Sequence, residues 1–166
     1  MLTSFILIAV NTIAAPKFAA LYQQGNIEAL GSTARDCMKL MTFVAVPVFL
    51  LFILAPEWVM KLFGSQFARG KMVLVTLSFA QFFNVAAGSV GPLLIMTGNE
   101  RSVRNGVIAG ASSCVALNIL LVPSHGIIGA AIANSLSVVL LNVFCLWAVH
   151  KHLGISLASN ICLTRR

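Results

Sequence analysis

Charge is what this chain has least of. Of its 166 residues 9% are charged, and four are acidic: Glu28, Asp36, Glu57 and Glu100. Soluble domains carry about 25% charged residues. With 59% apolar residues and a mean hydropathy of +0.97, the composition is that of an integral membrane protein. No apolar run holds an Asp, Glu, Lys, Arg or His at its centre. Ionisable groups inside a bilayer mark proton relays and ion sites, so this stretch offers no visible coupling site of that kind.

Other chemistry is equally scarce. The four cysteines, Cys37, Cys114, Cys145 and Cys162, show neither CxxC nor Cys/His ligand spacing, which argues against a metal site or a disulfide framework. Cys114 and Cys145 lie within apolar runs, where Cys behaves as a small hydrophobe. There is no Ser-His-Asp pattern, phosphate loop or metal motif. His125, His150 and His152 fall at the ends of apolar runs and read as solvated surface groups. The expectation is a protein that is not an enzyme and needs no cofactor or metal. The net charge of +7 is spread between apolar runs, so it implies topology and anionic headgroups rather than nucleic acid. Residues Met1 to Val10 lack the basic start of a cleavable signal. A chain opening directly inside an apolar run reads as a piece of something longer.

What is present is long apolar runs. A spanning helix needs about 20 mainly apolar residues, and five segments qualify: 2–22, 38–55, 72–97, 106–122 and 126–149. The fold class is therefore all-α, a polytopic bundle of transmembrane helices forming one transmembrane domain with a tail at 150–166. Five crossings divide the basic residues unevenly. Lys17, Arg35, Lys39, Arg101, Arg104, Lys151, Arg165 and Arg166 fall on one side, and Lys61, Arg69 and Lys71 on the other. The side with more basic residues faces the cytoplasm, which puts the C-terminus inside. Tyr22, Trp58 and Trp147 stand near span ends, where aromatic rings favour the headgroup layer.

The connections differ in kind. Residues 23–36 read as a polar cytoplasmic loop, with Thr33 and Asp36 as a capping box for the second span. Residues 57–70 carry Trp58, Leu62 and Phe63 at helical spacing and read as a short interfacial helix ended by Gly64. Thr97 to Asn105 reads as a tight turn, and Pro123 to Gly126 as a tighter one.

Function must then reside in uncharged polarity and in small residues. Gln81, Asn84, Gly88 and Gly91 recur on one face of the third span, while Asn118, Asn134 and Asn142 occupy the last two. An unpaired amide in hydrocarbon costs several kcal/mol, so these groups face other helices or a polar cavity. Gln81, Asn84, Asn118 and Asn134 are candidates to line such a cavity. Gly106 and Gly110 form a GxxxG pair, and Gly126, Gly129, Ala130 and Ser137 open the fifth span with small side chains, as close helix packing in lipid requires. Pro47 and the Gly88, Gly91 and Pro92 cluster are expected to kink their helices.

The string from Asn118 to Ser137 (NILLVPSHGIIGAAIANSLS) resembles the last helical hairpin of polysaccharide flippases of the multidrug/oligosaccharidyl-lipid/polysaccharide exporter superfamily. Asn11 to Ala20 with Tyr22 and Gly25, then Leu62-Phe63-Gly64 with Phe67 and Gly70, then Gly91-Pro92-Leu93-Leu94 through Thr97-Gly98, resemble earlier pieces of that family in the same order. The resemblance covers spans eight to twelve, and so implies a missing N-terminal lobe. It further implies alternating access between two lobes, with a polyprenyl-pyrophosphate-linked oligosaccharide as the substrate and the cytoplasmic (inner) membrane as the location. Arg35 and Lys39 are the basic residues placed to meet the pyrophosphate. The alternatives are a cation-coupled multidrug exporter of the same superfamily, a non-transporting membrane subunit, or a truncated remnant.

Overall fold

A computed structural model describes residues 2–62 and 70–154. The chain is an all-α transmembrane helical bundle. Its elements are α1 (Leu2–Gln23), α2 (Ile27–Leu54), α3 (Pro56–Leu62), α4 (Lys71–Ala86), α5 (Val90–Met96) and α6 (Glu100–Leu153). Among the described residues, three helical stretches are long and apolar enough to cross a membrane: Ile27–Leu54, Lys71–Met96 and Glu100–Leu153. Phe63, Gly64, Phe67, Arg69, Cys162, Arg165 and Arg166 lie outside the described residues.

The third stretch folds back on itself. Laid out straight, its 54 residues would run about 81 Å at 1.5 Å per residue, against about 30 Å of hydrocarbon. Gly126 turns the chain back with φ 56° and ψ −132°, and the helical hydrogen bonding of Pro123 to His125 continues up to it. The four-residue turn expected at Pro123–Gly126 is thus compressed into one glycine, because no L side chain adopts that backbone readily. The two arms, 100–125 and 127–153, pack antiparallel. Gly129 sits against the Leu121 carbonyl, and Gly106 and Gly110 sit against Leu141, Phe144 and Ser137.

The predicted loop over 23–36 is corrected to helix, and so is most of the turn predicted over 97–105. In both places two residues do the turning. Gly25 and Gly98 are left-handed (φ 70° and 77°). The amide of each glycine bonds three residues back, to Tyr22 and Ile95, and the following Asn amides reach Leu21 and Leu94. That is the six-to-one and five-to-two pattern that closes a helix end. The Asn26 side chain then accepts from the Ala29 amide and starts α2, so Thr33 and Asp36 lie inside a helix instead of capping one. The 150–166 tail also begins as helix, since α6 runs on to Leu153. Pro47 leaves α2 uninterrupted. The break in the third span falls at residues 87–89, between α4 and α5.

α4 packs between α2 and α6, while α1 packs on α2 and α5. The core lies at the Gly25 and Gly98 end, where Phe18, Leu30, Leu93, Leu94 and Val149 have no exposed surface. A second cluster of Met41, Ala45 and Val85 sits nearer the middle. Outward faces are apolar too: Phe43 and Ile13 are 79% and 76% exposed, as residues facing lipid are. The first arm of α6 buries Gly106 and Gly110, both against its own second arm.

Candidate functional site

Uncharged polar groups meet at the break between α4 and α5. An interrupted helix frees backbone groups that in lipid must find partners within the protein. Here the partner comes from α1. Asn11 Nδ2 donates to the Gly88 carbonyl (3.2 Å), and Ser89 Oγ donates back to Asn11 Oδ1 (3.4 Å). Ser89 Oγ also lies 3.6 Å from Met41 Sδ of α2, so three elements converge on a serine that is 1% exposed.

A second node joins α4 to the second arm of α6. Asn142 Nδ2 donates to Asn84 Oδ1 (3.2 Å) and to the Val138 carbonyl, and Asn84 Nδ2 reaches Gln81 Oε1 at 3.5 Å. About two turns towards the Lys71 end, Ser135 Oγ donates to the Thr76 carbonyl (3.1 Å). The matching offsets of these two pairs make α4 and the second arm parallel neighbours.

Of the cavity candidates, the structure brings Gln81 and Asn84 together and keeps the other two apart. Asn118 donates to Cys114 of its own helix, and Asn134 is exposed on the opposite arm from it. Arg35 is half-buried and Lys39 exposed, on one face of α2 near its start. Among the small residues, Gly106, Gly110 and Gly129 make close contacts, Gly129 most tightly. Gly91 and Gly126 do not: a Cβ at either position meets nothing within 4 Å. Gly126 serves the turn, and Gly88 offers its carbonyl to Asn11 rather than close packing. Ala130 is half-buried one position beyond the Gly129 contact.

Asn11 and Ser89 were not singled out from the sequence, and the pairing of Asn142 was not foreseen. A signal for them was present. Asn11 and Asn84 stand fourteen residues before the left-handed Gly25 and Gly98, and Asn142 twelve before the left-handed Gly154. At 1.5 Å per residue that sets each amide about 18–21 Å from its own helix end. Each of the three helices running in that direction thus contributes one amide to a polar layer about one turn thick, with Asn11 at the level of Gly88 and Ser89 and the Asn84–Asn142 pair one turn away.

The electrostatics of the layer are neutral. Among the described residues the ion pair is Lys71 Nζ to Glu57 Oε1 (3.2 Å), at the far end of α4 with both side chains more than half exposed. At the opposite end Lys151 lies 4.8 Å over the Trp147 ring. No three His, Cys, Asp or Glu side chains cluster to hold a metal among the described residues. The layer can exchange hydrogen bonds with hydroxyls, amides or water.

Comparison with known proteins gives one distant likeness. The chain is 24% identical over 150 residues to a protein described as an uncharacterized membrane protein of Methanocaldococcus jannaschii, a match covering 89% of this chain. The chain spans 29% of that relative's length. No family model matches, and no solved structure matches.

Proposed function

We propose that this chain is the C-terminal part of a membrane transporter that flips polyprenyl-pyrophosphate-linked oligosaccharide across the cytoplasmic membrane for surface polysaccharide biosynthesis, with the C-terminus in the cytoplasm. The observation that carries this reading is the break between α4 and α5, bridged by Asn11. Discontinuous helices with polar groups near the middle of the membrane are a recurrent feature of transporters, and this break immediately precedes the Gly91-Pro92 motif of the flippase resemblance. A neutral amide layer of Asn11, Asn84 and Asn142 suits a sugar-bearing substrate, whose hydroxyls exchange hydrogen bonds without a buried charge to compensate. Arg35 and Lys39 are the proposed contacts for the pyrophosphate, at the end of α2 that the basic residues assign to the cytoplasm. The missing N-terminal lobe is the proposed partner that completes the cavity.

The test is deletion of the whole gene followed by analysis of lipid-linked precursors. Accumulation of the oligosaccharide precursor on the cytoplasmic leaflet, with loss of surface polysaccharide, is the expected result. Normal surface polysaccharide overturns the proposal, and hypersensitivity to cationic drugs in the same strain would assign the chain to drug export instead.

A further inference from the structure

A groove of about 150 Å³ runs between α2 and α4, away from the amide layer's α1 and α6 partners. Its walls are Phe49 and Phe52 from α2 and Leu74, Leu77 and Phe82 from α4, Gln81 lies along it, and Ala45 and Val85 close the deep end. The aromatic walls are braced: Phe49 stacks on Phe82 at 4.5 Å and meets Phe79 edge-on at 5.1 Å. The Ser78 hydroxyl, also in the lining, is turned back on the Leu74 carbonyl (2.7 Å) and presents no free donor. The groove is open along one side and its lining is mainly apolar.

Length and charge narrow the occupant further. From Leu74 to Val85 the α4 wall rises about 16 Å, which is close to half the roughly 30 Å hydrocarbon thickness of a bilayer. The groove therefore runs from one interface to the midplane, as a single chain in one leaflet does. Its mouth is marked by Lys71, one turn beyond Leu74, where the ammonium is paired with the Glu57 carboxylate at 3.2 Å on an exposed surface. A phosphate in that position would take over the role the carboxylate plays.

We propose that the groove between α2 and α4 binds one acyl chain of an anionic phospholipid, with the lipid phosphate at Lys71. The site is a lipid contact of the folded bundle, and it does not rest on the flippase reading. It fixes the depth of α4 in the membrane and secures the wall next to the Asn84–Asn142 node.

The test uses the purified chain in vesicles of phosphatidylcholine and phosphatidylglycerol, with a trace of phosphatidylglycerol carrying a photoactivatable diazirine in its acyl chain. After irradiation, labelled peptides are mapped by mass spectrometry. Label concentrated on Phe49, Phe52 and Leu77, relative to Val115 and Ile119 on the exposed first arm of α6, supports the site; this comparison needs no variant. Lys71→Ala lowers groove labelling by the anionic lipid about fivefold, the effect of one basic residue at a headgroup, and lowers labelling by a phosphatidylcholine analogue, whose choline offsets its phosphate, by less. Val48→Phe and Leu77→Trp, which fill the groove from opposite walls, displace the label in whichever variant is monodisperse. Equal labelling of the groove and the first arm would overturn the proposal. So would an unlabelled groove in a chain that sediments as a dimer, which would make a second copy the occupant. Displacement by excess polyprenyl phosphate but not by excess phosphatidylglycerol would overturn it too, and would assign the groove to a transported lipid.

Discussion

The two interruptions in the apolar helices are solved in opposite ways. At residues 87–89 the break is buried, with Ala87 and Ser89 at 4% and 1% exposure, and the freed carbonyl of Gly88 is met by an amide from another helix. At Gly126 the reversal is exposed, flanked by Val122, Ile127 and Ile128, and consists of one backbone conformation. The difference follows from where each break sits. A backbone group freed inside the bundle has no water to turn to and costs several kcal/mol unless the protein supplies a partner. A break at the end of a helical hairpin needs a residue able to make the turn, and small neighbours that let the arms close behind it.

Five substitutions separate these two solutions, each read as the unfolding midpoint of the purified chain in detergent. The largest effect is expected for Gly129→Leu. A Cβ there runs into the backbone of Leu121, and backbone cannot rotate aside as a side chain does, so a loss above about 3 kcal/mol is expected. Near-native stability would mean that the arms of α6 do not close at this point. Gly126→Ala comes next. It has open space around it but must hold a positive φ, at a cost of about 1–3 kcal/mol; a neutral result would show that the turn relaxes to another conformation.

Asn11→Ala probes the buried break. It removes the bridge to Gly88 and Ser89, and membrane hydrogen bonds of this kind are worth about 0.6 kcal/mol on average. The Ser89→Ala, Asn11→Ala double variant should cost less than the two single variants together, because they share one interaction. Strict additivity would show that the two groups act separately. Gly91→Ala is the smallest effect and the one with the opposite sign. Its backbone is helical, not left-handed, and a Cβ there meets nothing, so a gain of about 0.4–1 kcal/mol is expected. Destabilisation would reveal a close neighbour at Gly91 in the membrane.

Much of the architecture was legible residue by residue. Apolar runs separated by turn residues announced the helices, and Gly106 and Gly110 announced a packing face that the second arm of α6 occupies. Helix starts were less legible. The Gly25-Asn26 and Gly98-Asn99 pairs turn the chain in two residues, so polar stretches that read as loops are the opening turns of α2 and α6. Such stretches carry charge because they rise out of the hydrocarbon, not because they lack structure. Gln81 and Asn84 stood out as a polar stripe on one face, since a stripe is a property of neighbouring positions. Asn11 did not stand out by itself, because its partners lie 77 and 78 positions away.

Sequence alone determined that this is an all-α membrane protein, because hydropathy and turn chemistry are summed over neighbouring residues. Tertiary structure alone decided which of the polar groups meet. Asn142 found Asn84 across 58 positions, while Asn118 turned back to its own helix and Asn134 stayed exposed. All of these amides carry the same need for a partner in a medium that supplies none. Which need is answered from another helix depends on the rotation and depth of each helix, and those are set by the packing of Gly106, Gly110 and Gly129 and of the buried core around Phe18, Leu93 and Val149.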